Sequence, residues 1–243
     1  MPIFDTHAYL EGYSIPGINQ TADQIWQALQ PRGITRAVLF STRAGRVDPL
    51  SGNRVLKTMI ESQPTLYAGI TAHTGRVDSS VQAIKELLGN SKFVGTLVVG
   101  SDPEAPLHPL IADDILNACR RYQKPIFIYT PNAACVEVAH TLAKQYSMHR
   151  FVFLGMGGKD WQNAVAAAHQ ATNVMLEVSG ELDNAKIPSA VNTLGAHRIL
   201  FGSGAPHQDP VATMGLLAEA GLSNTNLQRI LIENANKLFA ITE

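Results

Sequence analysis

Short apolar runs recur along the chain at Pro2–His7, Arg36–Thr42, Leu66–Ala72, Phe93–Gly100, Pro125–Thr130, Phe151–Gly155, Val174–Ser179 and Ile199–Ser203. They are rich in Val, Ile, Leu and Phe and mostly lack polar alternation. That pattern suits strands covered on both faces, as in a parallel sheet. Segments of helical period lie between them. Thr21-Ala-Asp-Gln24 reads as a capping box that opens a helix through about Leu29. Ser80–Leu88 follows Asp78 and stops at Gly89, a residue suited to the C′ position. Ile111–Tyr122, Ala133–Tyr146, Trp161–Gln170, Ile187–Leu194 and Val211–Ala220 continue the alternation, and Leu227–Phe239 closes it. The alternation predicts an α/β chain folded as a (β/α)8 TIM barrel. An open doubly wound sheet is the alternative, but about six strands would suffice for it.

With 243 residues, the chain has the usual size of one such barrel. Residues 1–243 are therefore expected to form a single domain, with no low-complexity linker and no internal repeat. The formal net charge of −1 provides no basic face for nucleic acid. No run approaches the ~20 apolar residues of a membrane span. The opening MPIFDTHAYL lacks a charged segment and a long apolar one, so no signal peptide is expected. Cys119 and Cys135 fall in predicted helices without a CxxC partner. This usage suits a reducing cytoplasm better than a disulfide framework.

Barrel chemistry sits at the C-terminal ends of the strands. There the sequence offers His7, Tyr9, Arg43, His73, Tyr129, Glu177 and His207. A divalent ion such as zinc takes about four N, S or O ligands. His7, His73 and His207, with Glu177 or Asp209 as carboxylate, form one candidate set. The alternative for each histidine is a strand cap bonded to backbone. Arg43 has the planar fork that holds a carboxylate or phosphate, or it is a solvated side chain beside Arg46.

Four segments together resemble a known family. Phe4-Asp-Thr-His-Ala-Tyr-Leu10 is similar to the opening Asp-x-His-x-His of the amidohydrolase superfamily. Phe93–Val99 with Lys124–Thr130 resembles strands four and five of its amidohydrolase-2, decarboxylase-like branch. Phe151–Gly158, Trp161 and Asn173–Ser179 resemble strands six and seven, and Arg198–His207 with Glu233–Phe239 resembles strand eight and the last helix. The resemblance implies a TIM barrel, hydrolase or decarboxylase ancestry on a small organic substrate, and a homodimer built through outer helices. It also implies a metal held by two histidines of strand one, a histidine of strand five and an aspartate of strand eight. A histidine of strand six joins the metal or the acid–base chemistry.

At those positions this chain has His7, then Tyr9, Tyr129, Gly204 and, on strand six, Met156. Glycine neither ligates nor acts as a base. A thioether prefers softer ions than zinc, and a phenol, ordinarily titrating near ~10, ligates poorly at neutral pH. The leading expectation is a small-molecule pocket lined by His7, Tyr9, Arg43, His73, Tyr129, Met156, Glu177, Gly204 and His207, with metal-free or lost chemistry and no cofactor. Two alternatives stay open. One is an active metal-dependent hydrolase whose site is rebuilt from His7, His73 and His207, with zinc or another divalent metal. The other is a non-catalytic subunit of an active paralogue.

Overall fold

A strand of branched and aromatic residues without polar alternation needs helices over one face and a packed interior on the other. The computed structural model, which describes residues 1–10 and 21–241, provides both. Its strands are β1 (Ile3–Leu10), β2 (Ile34–Ser41), β3 (Leu66–His73), β4 (Phe93–Val99), β5 (Ile126–Tyr129), β6 (Phe151–Leu154), β7 (Val174–Glu177) and β8 (Ile199–Leu200). They form one 8-stranded sheet in sequence order, and every pairing in it is parallel. The segment after β8 joins back to β1. Thr6 N donates to Phe201 O at 3.0 Å, Gly204 N to His7 O at 2.8 Å and Tyr9 N to Ala205 O at 2.7 Å. The architecture is the (β/α)8 TIM barrel, not the open sheet.

The helices are α1 (Ala22–Leu29), α2 (Thr42–Arg46), α3 (Pro49–Ile60), α4 (Val77–Leu87), α5 (Pro109–Cys119), α6 (Ala133–Gln145), α7 (Trp161–Gln170), α8 (Lys186–Leu194), α9 (Pro210–Glu219), α10 (Asn224–Gln228) and α11 (Asn234–Phe239). The capping box at Thr21 is present in both directions. Among the described residues no helix is long and apolar enough to cross a membrane. Both cysteines are buried and free.

The helices after β2 and after β8 differ from expectation. The apolar pattern announced neither α2 nor α3. The longer of them is α3. It buries Pro49, Gly52, Asn53, Leu56 and Ile60, a helical spacing in which Gly and Asn occupy places usually apolar. Asn53 is there because its amide donates to Pro49 O at 2.7 Å and Thr71 O at 2.9 Å, tying α3 to β3. The single helix expected over Leu227–Phe239 is instead α10, a π-helical segment Arg229–Glu233, and α11. That segment buries the consecutive Ile230, Leu231 and Ile232. A wider turn allows this, and Ile230 O takes a bond from Phe201 N at 3.1 Å.

The barrel interior combines aliphatic side chains with three buried phenylalanines, Phe4, Phe40 and Phe127. Phe40 of β2 meets Phe127 of β5 across it with ring centroids 5.2 Å apart. Phe239 of α11 reaches Phe4 at 5.5 Å and Phe127 at 6.2 Å, filling the end opposite the strand tips. The chemistry therefore has only the other end to occupy.

Asp5 is fully buried where β1 meets the chain after β8. It accepts from Ser203 N at 2.9 Å, Ser203 Oγ at 2.5 Å and His7 N at 3.1 Å. Burial raises its pKa from 3.8 to about 6, with the Ser203 bonds opposing the rise. A carboxyl displaced upward on folding binds its proton more tightly in the native state. Its ionisation therefore costs stability progressively as pH rises from about 4 to about 6, and the full cost is present above that. Denaturant titrations are expected to show this contribution, about 3 kcal/mol in all, recovered on acidification from pH 6 towards 4 and absent in Asp5→Asn. An identical pH profile for the two proteins in that window would refute it.

Candidate functional site

β1 places His7 and Tyr9 on one face, because side chains two apart on a strand share a face. Its register against β2 shifts between Asp5 and Ala8, which is the local irregularity that carries His7. The His7 ring lies at the tip of β7. Glu177, with no exposed surface, is acceptor-only as a carboxylate, so His7 Nδ1–H donates to its Oε2 at 3.2 Å. The other nitrogen, Nε2, is then the acceptor for the Tyr9 hydroxyl at 2.9 Å. Glu177, His7 and Tyr9 form a continuous chain of hydrogen bonds from the barrel wall outward.

Glu177 is held on every side. Ser179 Oγ donates to Oε2 at 2.8 Å, Ser179 N to Oε1 at 2.6 Å and Gly155 N to Oε2 at 3.1 Å. Burial alone pushes its pKa up. The hydrogen bonds from His7 and Ser179 outweigh that and keep it below the ordinary 4.5. Gly202 makes the fit possible: a Cβ there would lie 2.3 Å from Glu177 Oε1.

Above the chain lies a cavity of about 340 Å³. Its polar lining includes His7, Tyr9, Tyr129, Ser179, His207 and Gln208 together with Arg46, Asp102 and Glu104, and Leu97, Val98, Val99 and Leu107 supply its apolar part. His207 stands edge-on to Tyr9, centroids 5.4 Å apart. Burial lowers its pKa from 6.5, with the Arg46 charge adding to the effect, so it is predominantly neutral at pH 7. Gln208 clamps the neighbouring loop, accepting from Gly180 N at 3.0 Å and donating to Gly180 O at 2.9 Å.

Five of the nine residues singled out from sequence line this cavity: His7, Tyr9, Tyr129, Gly204 and His207. The other four stand elsewhere. Glu177 lies beneath the lining, behind His7. Met156 is fully buried, at φ 50°. Arg43 is exposed on α2, and Arg46, one helical turn on, is the arginine at the cavity. His73 is buried with its Nδ1 accepting from Gly75 N at 2.8 Å, so its ring caps the turn after β3. That removes it from the set His7, His73, His207. Asp209 is likewise engaged, in a two-pronged pair with Arg32 at 2.7 and 2.6 Å. Sequence reading passed over Ser179, Gln208 and the buried Lys186 as site residues. Ser179 had a usable signal, two residues beyond Glu177 at a strand tip; Lys186, at the start of a helix, had none.

The profile of the amidohydrolase family matches residues 5–241. The chain belongs to the amidohydrolase family. Solved structures agree on the fold. A 2,6-dihydroxybenzoate decarboxylase from Rhizobium superposes with TM-score 0.79 at 15% identity, covering 99% of each chain. The 5-carboxyvanillate decarboxylase of Sphingomonas paucimobilis gives 0.76 at 11% identity, again over 99% of each. A dihydroxybenzoic acid decarboxylase from Polaromonas, solved with manganese and the inhibitor 2-nitroresorcinol, gives 0.79 at 13% identity over 100% of this chain and 98% of that one. No protein of curated function matches the sequence. In this member of the family the Glu177–His7–Tyr9 chain therefore sits at the strand ends, where the fold places its chemistry.

Proposed function

We propose that this member of the amidohydrolase family binds a small organic molecule at the barrel mouth and acts on it by metal-free proton transfer through Tyr9, His7 and Glu177. The observation that carries the reading is the pair of bonds on one imidazole, Nδ1 to Glu177 at 3.2 Å and Nε2 to the Tyr9 hydroxyl at 2.9 Å, at the wall of the cavity. Both His7 nitrogens already have protein partners, and the strand-one, strand-five and strand-eight positions that the family resemblance assigns to the other ligands hold Tyr9, Tyr129 and Gly204. Such a donor set does not fit a hydrolytic zinc or manganese ion, which wants about four hard or borderline ligands.

The chain has its own chemistry. Ionised Glu177 keeps the proton on Nδ1 and leaves a lone pair on Nε2 facing Tyr9. The Tyr9 proton passes to Nε2 when the phenolate abstracts a proton from the ligand, and returns in the reverse step. Between ordinary side chains, phenol-to-imidazole transfer costs about 5 kcal/mol. That is well inside the ~16 kcal/mol barrier of a turnover on the order of 10 per second. The cavity is at the small end for ligand sites, and its mixed polar and apolar lining suits a small molecule that carries polar groups on an apolar body. Residues 1–243 then work as one unit, in keeping with a family match from 5 to 241.

Protein purified without added metal is expected to carry well under one equivalent of zinc or manganese, and to bring a small molecule through native mass spectrometry. Tyr9→Phe should leave that molecule bound and slow its conversion by about 10²–10⁴. A stoichiometric divalent ion whose chelation abolishes conversion would overturn the reading.

A further inference from the structure

Lys186 opens α8 and has no exposed surface. Every local consideration is against a cation there. A lysine stem long enough to reach water normally does so, and this one turns inward. The first turn of a helix disfavours positive charge. An ammonium has three donors, and among the described residues its recorded acceptor is Ser179 O, at 3.1 Å. What offsets these costs is its surroundings: the charges facing it are Glu177 from β7 and Glu181 and Asp183 from the connection to α8. The Ser179 it holds is the same residue that donates to Glu177 through its backbone N and its hydroxyl.

We propose that Lys186 is a positioning residue for the site: by holding the carbonyl of Ser179, whose N and Oγ donate to Glu177, it keeps that carboxylate in place, so that His7 carries its proton on Nδ1 and offers Nε2 to Tyr9. The proposal rests on the relay described above and adds the group that sets it. Lys186 touches neither the cavity nor the ligand. Its effect travels through Ser179 and Glu177 to the imidazole. Burial lowers its pKa from 10.5 to about 8, against the upward pull of Glu177, Glu181 and Asp183.

The test reads the His7 ring directly, by long-range ¹H–¹⁵N spectra of the full chain labelled at histidine, in wild type, Lys186→Met and Lys186→Arg. Wild type is expected in the Nδ1–H tautomer. In Lys186→Met the Nδ1–H form should fall several-fold relative to Nε2–H, and Lys186→Arg, which keeps the charge, should restore it. A merely structural lysine would leave the tautomer ratio alone. Wild type in Nδ1–H with Lys186→Met unchanged would overturn the role of Lys186 and leave the relay standing. Wild type already in Nε2–H would overturn both. If Lys186→Met does not fold, titration of the wild type decides. Glu177 and Asp183 are held below their ordinary range and stay ionised near pH 8. A His7 signal that shifts with the midpoint of Lys186's own deprotonation supports the proposal, and one that does not overturns it.

Discussion

Replacing Tyr9 and Tyr129 by histidine and Gly204 by aspartate together is expected to raise the zinc affinity of the barrel mouth by at least about a thousandfold. The three changes supply donors at the strand-one, strand-five and strand-eight positions, beside the retained His7, and so reach the four ligands zinc prefers. Tyr9→His alone should bind zinc only weakly, because two of the four are still missing. The backbone is prepared for the least conservative change. Gly204 has φ +68°, a left-handed conformation that aspartate tolerates better than most residues. A Cβ there would meet Ser179 Cβ at an ordinary 3.7 Å. Competition with a chromogenic chelator measures the gain. If the triple variant folds and binds no better than wild type, the assignment of these residues to the ligand positions is wrong.

The largest effect on stability is expected from Glu177→Ala. The carboxylate accepts from Ser179 N, Ser179 Oγ, Gly155 N and His7. Truncation leaves those donors buried without their acceptor and opens a cavity as well. Removing one partner of a buried charged network typically costs about 3–5 kcal/mol, which lowers the melting temperature of a chain this size by about 10 °C. The pH dependence has a definite sign. A carboxyl whose folded pKa lies below the ordinary 4.5 contributes stability that is present above that value and lost as pH falls through the folded one. Asp5 does the opposite, since its ionisation is what costs. Acid titration of wild type against Glu177→Ala should therefore show the difference shrinking below pH 4.5, while Asp5 protonation has by then already restored its share. A loss under about 1 kcal/mol at neutral pH would mean that Glu177 is not the acceptor at the centre of the network.

Much of the fold was legible along the chain because its signal is one-dimensional. Val, Ile, Leu and Phe must leave water wherever the chain goes, so apolar runs such as Phe93–Gly100 and Phe151–Gly155 announce buried strands before any contact is known. The capping box at Thr21 is equally local and was equally readable. α3 was not, because Gly52 and Asn53 fill core positions through close packing and through a hydrogen bond to β3, neither of which has an apolar signature. The π segment before α11 was hidden for the same reason: a backbone bond to Phe201 selects it.

The site divides along the same line. Residue types at strand tips were enough to pick His7, Tyr9, Tyr129 and His207 as neighbours, since a barrel brings its strand ends to one mouth whatever the loops do. The direction of each side chain was not readable. His73 and His207 look alike as letters, yet one ring folds back onto Gly75 and the other faces the cavity. Arg43 and Arg46 share a short helix, and a rotation of one turn decides which reaches the mouth.

The amino-acid sequence by itself thus determined the barrel and the order of its strands, because these follow from composition and spacing. The tertiary structure alone decided that Glu177 lies behind His7 instead of at the rim, that both imidazole nitrogens are engaged, and that Lys186 turns inward towards them. The Glu177 contact joins residues 170 positions apart, the Tyr9 and Lys186 bonds are rotamer choices made by burial, and no local pattern encodes which of the available partners a hydrogen bond will find.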